Sequence, residues 1–159
     1  MKPTVIENFL VEEDFQELKE NVFSKYFPWY FNHRSVLEID SQYQFTHIFY
    51  NEDVKNNFFS LVQKAVDKLD PISLLRVKAN LNPQTNKIVE TGEHQDMYDD
   101  RFTSAVLFLN NCNGYCRIGD TKFFSEENKL IMFNSNTKHT GSTCTDVPRR
   151  VLINFVFLK

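Results

Sequence analysis

Two histidines, an aspartate and a late pair of arginines are the residues of this chain whose types and spacing could do chemistry. His94 and Asp96 are separated by Gln95, His139 follows forty-five residues after His94, and Arg149 and Arg150 open the last apolar run, which ends at Phe157. Two imidazoles and one carboxylate are the facial ligand set for non-haem Fe(II), leaving open positions for a co-substrate and O2. On an extended segment residues i and i+2 point to the same side, so His94 and Asp96 can grip one ion while Gln95 points away. His139 comes after the apolar run Leu130–Phe133 and the turn-forming run Asn134-Ser-Asn-Thr137, which delivers it from a loop. Asp99 and Asp100 compete for the carboxylate role, but neither stands two residues from a histidine, and both read as turn or N-cap acids. His33 and His47 are the competing imidazoles. His47 lies inside the aromatic run Phe45–Tyr50, where a hydrogen-bonded core histidine is the simpler reading.

A guanidinium beside such a metal suits a carboxylate, because its planar donor fork matches two oxygens at once. Neighbouring strand residues face opposite ways, so only one of the two arginines can point inward. Arg150 would bring Leu152, Asn154 and Val156 with it; Arg149 would bring Val151, Ile153 and Phe155. Upstream, the run from Arg76 to Asn82 alternates so that Lys78, Asn80 and Asn82 share a face. That face is either solvent or a pocket wall, because three polar side chains without partners are costly in an apolar interior.

These residues need a scaffold, and the chain supplies one. At 159 residues it can bury well over half of its unfolded surface, and sixteen Phe and six Tyr favour sheet packing. A short strand is expected around Val5–Leu10, then a helix from about Glu12 to Lys25 with Phe15, Leu18, Val22 and Phe23 at helical spacing, ended by Pro28. A second strand is expected at Tyr43–Tyr50. A second helix would start at Asp53 as N-cap, with Val54, Phe58, Leu61, Val62, Ala65, Val66 and Leu69 as its apolar stripe before Pro71. From Ser73 onward the pattern becomes strands of five to eight residues divided by Asn, Gly, Pro and Asp, which indicates a sandwich or barrel. The expected fold is mostly β with supporting helices: a double-stranded β-helix, or jelly roll, backed by two N-terminal α-helices. Residues 1–159 read as one domain, with 1–72 as helical support and flanking strands and 73–159 as the jelly-roll core. The polar segment Pro83–Glu93, just before the metal motif, reads as a lid.

The run Thr103–Asn111, then Asn113-Gly114, then Lys129–Asn134 leading into His139-Thr-Gly141, then Arg150 on a terminal strand, resembles the 2-oxoglutarate/Fe(II)-dependent oxygenases. The likeness is to the prolyl-4-hydroxylase-like branch, in particular the compact versions encoded by marine bacteriophages. It covers about residues 73–158 and extends more loosely through Phe27–Phe31 and Phe45–Tyr50. The resemblance implies that Fe(II) is held by His94, Asp96 and His139, and that 2-oxoglutarate chelates the metal and pairs its far carboxylate with Arg150. Asn80, Asn82, Phe108 and Asn154 would lie around the co-substrate. The family's terminal pattern, an Arg with a small polar residue four positions later, matches Arg150 and Asn154 and leaves Arg149 as a solvated charge. O2 would be consumed as 2-oxoglutarate is decarboxylated to succinate, with hydroxylation of a peptide, protein or small-molecule substrate as the expected outcome. The sequence departs from the family's pattern in two places. Gly114-Tyr-Cys-Arg-Ile118 replaces the usual Gly-Gly motif, and Phe108 stands where some relatives use a Tyr to bind 2-oxoglutarate.

Other function classes fit less well. A metal-free jelly-roll binding module would have no use for all four residues, and a zinc hydrolase would favour more histidines and a nearby general base. A net charge of −3 argues against a nucleic-acid surface, which is normally a basic patch, and the nucleobase-demethylase branch usually spaces its two arginines apart. No apolar run approaches membrane-spanning length, and no basic-then-apolar leader pattern opens the chain. The expected compartment is the cytoplasm, that of the host if the gene is phage-borne. The three cysteines, Cys112, Cys116 and Cys144, then read as reduced thiols; a zinc pair at Cys112 and Cys116 would lack the further ligands a structural site needs.

Overall fold

Alternation of apolar residues along the C-terminal strands divides the molecule into two interiors. The computed structural model describes residues 2–33 and 42–159. Strand β1 (Thr4–Ile6) is followed by α1 (Glu12–Phe23), β2 (Tyr30–Asn32), β3 (Gln44–Asn51) and β4 (Val54–Lys55). A 3-10 turn (Phe59–Val62) then runs into α2 (Gln63–Leu69). The remaining strands are β5 (Ser73–Pro83), β6 (Phe102–Phe108), β7 (Cys112–Ile118), β8 (Thr121–Ser125), β9 (Leu130–Asn134), β10 (His139–Gly141) and β11 (Arg149–Leu158). The larger sheet runs β1-β9-β6-β11-β5-β3-β2, with β4 added to β3; the smaller runs β10-β7-β8, and the paired strands are antiparallel. This is the expected mostly-β jelly roll with two supporting helices.

One face of the large sheet packs on the helices. Val77 and Ala79 of β5, Ala105 and Leu107 of β6, and Val151, Ile153, Phe155 and Phe157 of β11 meet Phe15, Leu18 and Val22 of α1 and Ala65, Val66 and Leu69 of α2. The opposite face looks into the roll, where Val106, Phe108, Ile131, Phe133 and Leu152 meet Cys116 and Ile118 of the small sheet. A one-residue slip would exchange the two sets, so the helices fix the register of the strands that carry the site. Among the described residues no helix is long and apolar enough to cross a membrane.

Three local expectations change. The first strand stops at Ile6; Phe9 and Leu10 are buried instead by Asn128, whose side chain accepts from the Leu10 N–H and donates to its carbonyl, both at 2.8 Å. Asp53 is not a helix N-cap. Glu52 and Asp53 have φ of 46° and 71°, the positive values of a tight hairpin turn, and Asn51 pairs with Val54 across it. Asp53 accepts a hydrogen bond from the Tyr50 hydroxyl at 2.9 Å, and Val54, 71% exposed, leaves the apolar stripe. The segment 84–93 is not a free lid. Thr91 N–H donates to the Gly141 carbonyl and Thr143 N–H to that of Val89, and Glu90 bridges Ser142, so this stretch forms a wall beside β10.

Candidate metal and co-substrate site

His94 and His139 exchange backbone hydrogen bonds of 3.0 and 2.9 Å, which bring their rings to 4.3 Å between centroids. One ligand atom from each of His94, Asp96 and His139 lies within 4.8 Å of the others, the grouping expected from spacing. Each imidazole is oriented from behind. His94 Nδ1 lies 3.1 Å from the Gly92 carbonyl and His139 Nδ1 3.0 Å from that of Thr137. A carbonyl can only accept, so Nδ1 carries a proton in both rings and Nε2 is the nitrogen left for a metal. Burial lowers the pKa of His94, and neighbouring His139 adds to the effect; both act to keep the ring neutral.

Asp96 is held more tightly still. Its side chain is 7% exposed, and burial alone would raise its pKa. The Arg76 guanidinium, His139, Ser104 and His94 outweigh that and bring it to about 2. Arg76 Nη2 donates to Oδ1 at 2.8 Å; Ser104 Oγ and Asn154 Nδ2 donate to Oδ2 at 2.6 and 3.1 Å. Gln95 turns away, as expected, and donates to the Asn136 carbonyl. Asp99 pairs with Arg101 at the surface. His47 is fully buried, with Nδ1 2.8 Å from the Pro28 carbonyl and its ring against Phe27, Phe49 and Phe58; among the described residues neither it nor His33 joins a group that could hold a metal.

The three candidate ligands share a cavity of about 570 Å³, open mouth included, whose walls include Lys78, Asn80, Asn82, Arg150, Leu152 and Asn154. The strand parity left open by sequence is thus decided. Arg150 points in and is 1% exposed; Arg149 points out, its guanidinium 4.7 Å from the Phe23 ring centroid. Arg150 Nη1 donates to the Ser142 carbonyl at 3.1 Å, but its Nε and Nη2 are buried without a partner. Buried donors are nearly always satisfied, and two adjacent free N–H groups of a guanidinium match a carboxylate. Gly114 makes room for this side chain: a Cβ there would lie 2.6 Å from Arg150 Cδ and 2.8 Å from the Thr143 carbonyl.

Two expected co-substrate contacts are placed differently. Phe108 lies beneath the guanidinium, 5.4 Å from ring centroid to Arg150 Cζ, and is not part of the cavity wall. Asn154 lines the cavity, but its amide is engaged by Asp96 and Arg76, so it steadies the Asp96 carboxylate. Asn80 and Asn82 do line the cavity, and Asn80 Oδ1 is buried without a partner. Sequence reasoning missed Arg76, Ser104 and Gly114; Arg76 shares strand parity with Lys78 and Ser104 with Val106, which is the signal that could have found them. The cysteines are free thiols. Cys112 is grouped with Cys144 and Asp146 rather than with Cys116, and burial pushes the Cys116 thiol, on the cavity wall, up to about 12.

No family model matches the chain, and no curated protein matches it in sequence. Solved structures do match. A prolyl hydroxylase from Trichoplax adhaerens, in complex with a peptide fragment of the hypoxia inducible factor oxygen degradation domain, superposes with a TM-score of 0.69 at 14% identity, covering 98% of this chain and 83% of that one. A prolyl-4-hydroxylase from Pseudomonas putida gives 0.61 at 14%, covering 99% and 92%. HygX from Streptomyces hygroscopicus, solved with nickel and 2-oxoglutarate bound, gives 0.64 at 9%, covering 98% and 82%. At these identities the likeness carries the scaffold: this chain has the jelly-roll fold of the prolyl hydroxylases and 2-oxoglutarate/Fe(II) oxygenases.

Proposed function

We propose that residues 1–159 form one Fe(II)- and 2-oxoglutarate-dependent dioxygenase domain, a hydroxylase of the prolyl-4-hydroxylase-like type acting on a peptidyl or amino-acid substrate. The observation that carries this reading is a fully buried Arg150 with two unpaired N–H groups in the same cavity as His94, Asp96 and His139. A plain metal site has no need of a carboxylate receptor beside it. The donor set fits the metal: two imidazoles that turn Nδ1 to a carbonyl and leave Nε2 for the metal, with a carboxylate held ionised, suit Fe(II) and leave one side open. Similarity to HygX, solved with 2-oxoglutarate and a divalent metal, and to two prolyl hydroxylases supports the same reading.

When bound, iron and 2-oxoglutarate supply the oxidising chemistry: with O2 the co-substrate goes to succinate and CO2, and one oxygen atom enters a substrate C–H bond. The protein binds and orients. His94, Asp96 and His139 hold the metal, and Arg76, Ser104 and Asn154 keep Asp96 ionised and aimed. Arg150 fixes the far carboxylate of 2-oxoglutarate, while Val106 and Leu152 provide apolar wall. The test is an anaerobic titration of purified protein with Fe(II) and 2-oxoglutarate, followed by the visible charge-transfer band, then succinate release in air with and without prolyl peptides. A one-to-one complex with the band and O2-dependent succinate is expected. Iron binding without 2-oxoglutarate binding would reduce the protein to a metal-binding jelly roll.

A further inference from the structure

Lys78 is a cation in this cavity to which the reading above gives no role. It sits on β5 opposite Asn154, while Asn82 sits opposite Arg150. Four residues of strand, roughly 13 Å, therefore separate the two cationic positions, with Asn80 between them. Lys78 lines the same cavity as the three metal ligands, at the Asp96 end, since its cross-strand partner Asn154 bonds Asp96. Its ammonium has no hydrogen bond or ion pair with any described residue. Asp96 cannot provide one readily, because Arg76, Ser104 and Asn154 take three of its four acceptor sites and the fourth is the one a metal would use. Burial, and secondarily Arg76, lower its pKa to about 8, against the pull of Asp96, so it is mainly charged at neutral pH.

An unpaired ammonium beside a divalent metal site works against metal binding unless an anion joins it. The wall itself carries two positive side chains, Lys78 and Arg150, and one negative, Asp96, and Arg76, paired to Asp96 from behind, only adds to the positive side. Adding Fe(II) and then the 2-oxoglutarate dianion returns the cavity to its starting excess of one positive charge. Arg150 is matched by the far carboxylate, and the remaining carboxylate belongs to the metal. The excess therefore sits on Lys78.

We propose that Lys78 is the subsite for a carboxylate on the molecule to be hydroxylated, so that the substrate class is an acidic one: a free amino acid, a peptide ending near the oxidised residue, or a peptide with an adjacent Asp or Glu. The proposal rests on the dioxygenase reading, and its test is a binding measurement rather than turnover. Wild type and Lys78→Met, loaded anaerobically with Fe(II) and 2-oxoglutarate, are titrated with probes matched except for charge. The pairs are N-acetyl-L-proline against its amide, and an amidated tripeptide Gly-Pro-Glu against Gly-Pro-Gln. Binding is read from the shift of the visible band and from NMR line shapes. In wild type the acidic member of at least one pair should bind about tenfold or more tightly than its neutral partner, and Lys78→Met should bring that ratio to about one while 2-oxoglutarate affinity stays within about threefold. The pair that responds separates a terminal carboxylate from an acidic side chain.

Equal binding of both members in wild type, no binding of any acidic probe, or discrimination that survives Lys78→Met would overturn the proposal. So would a loss of 2-oxoglutarate affinity in Lys78→Met as steep as in Arg150→Ala, which would assign Lys78 to the co-substrate. Absence of the visible band in wild type would count against the dioxygenase reading itself; the same pairs titrated by NMR on metal-free protein then decide the role of Lys78 separately. Lys78→Gln is the second variant should Lys78→Met not fold. In either folded variant the metal-free protein should melt at or slightly above the wild-type temperature, since a half-buried ammonium without a partner has been removed.

Discussion

The two faces of β11 differ in kind although they share one backbone. Toward the helices, Val151, Ile153, Phe155 and Phe157 make a dry apolar layer. Toward the small sheet, Arg150 and Asn154 alternate with Leu152 along the cavity wall. Strand β5 repeats the contrast, with Val77 and Ala79 on one side and Lys78, Asn80 and Asn82 on the other. The period of two thus separates stability from chemistry: one face holds the strand in register, and the other can carry unmet polar groups. On β5 and β11 the buried side-chain atoms without a partner belong to Arg76, Asn80 and Arg150, on the site-facing side of both strands, whereas on neighbouring β3 His47 Nε2 is unpartnered among the helix-side aromatics. Such atoms weaken a fold, and the helix-side layer offsets their cost.

Breaking the site without touching the core should give the largest functional effect. His94→Ala or His139→Ala is expected to abolish stoichiometric Fe(II) binding, measured by metal analysis after gel filtration, while the far-UV spectrum and cooperative unfolding persist. Asp96→Ala should also lose iron, with an added loss of stability, because Arg76 would be left without its 2.8 Å partner. Retention of iron by a histidine variant would remove that ligand from the assignment.

The reverse experiment touches the core alone. Phe155→Ala leaves a cavity in the helix-side layer and should cost about 3–5 kcal/mol in denaturant unfolding, as large-to-small aromatic truncations do, with iron still bound by the folded fraction. If stability hardly moved, the two faces would not be divided as described.

The sharpest comparison lies between neighbours. Arg150→Ala leaves a buried carboxylate unpaired and should weaken 2-oxoglutarate binding by about 2–5 kcal/mol, roughly thirty-fold to several thousand-fold, with Fe(II) retained. Gly114→Ala should act in the same direction by displacing the Arg150 stem it would meet at 2.6 Å. Arg149→Ala, removing an exposed cation stacked on Phe23, should leave 2-oxoglutarate affinity within about threefold of wild type. Calorimetric titration of the three variants checks the set.

A smaller effect is expected from pH. Asp96 titrates at about 2 in the folded protein against an ordinary 3.8. A depressed carboxylate contributes stability that is fully present above its unfolded value and is lost as pH falls through the folded one. Metal-free protein should therefore lose this contribution between about pH 4 and pH 2. Ser104→Ala removes a 2.6 Å donor to Asp96, so it should raise the folded pKa of Asp96 and shrink the contribution lost in that window. Urea midpoints measured across the range would show no difference between wild type and variant if Ser104 did not hold the carboxylate.

Much of this was legible in one dimension because strand periodicity is a local property. The His94-x-Asp96 spacing puts two candidate ligands on one side of any extended segment, and the alternation from Arg76 to Asn82 and from Arg149 to Phe157 sorts residues into two faces before either face is assigned. Sequence parity could state the choice between Arg149 and Arg150 but not make it; the resemblance favoured Arg150, and the packing of Val151, Ile153 and Phe155 on the helices settled which side was inside. The helix expected from Asp53 failed for a local reason of its own, two consecutive positive φ values that close a hairpin before any helix can start.

By itself, the sequence determined the mostly-β class of fold, the placing of His94 and Asp96 on one side of an extended segment and the polar row on β5, because each follows from residue types at fixed short spacings; His139 joined them only through the resemblance. Tertiary structure alone decided what surrounds them. Arg76, Ser104 and Asn154 reach Asp96 from three different strands. Gly114 faces Arg150 across the roll, and Lys78 shares a cavity with ligands that stand sixteen to sixty-one residues further along the chain. These are contacts between residues far apart in sequence, where no periodicity operates; only closure of the two sheets fixes which donor meets the carboxylate and which cation is left without an anion.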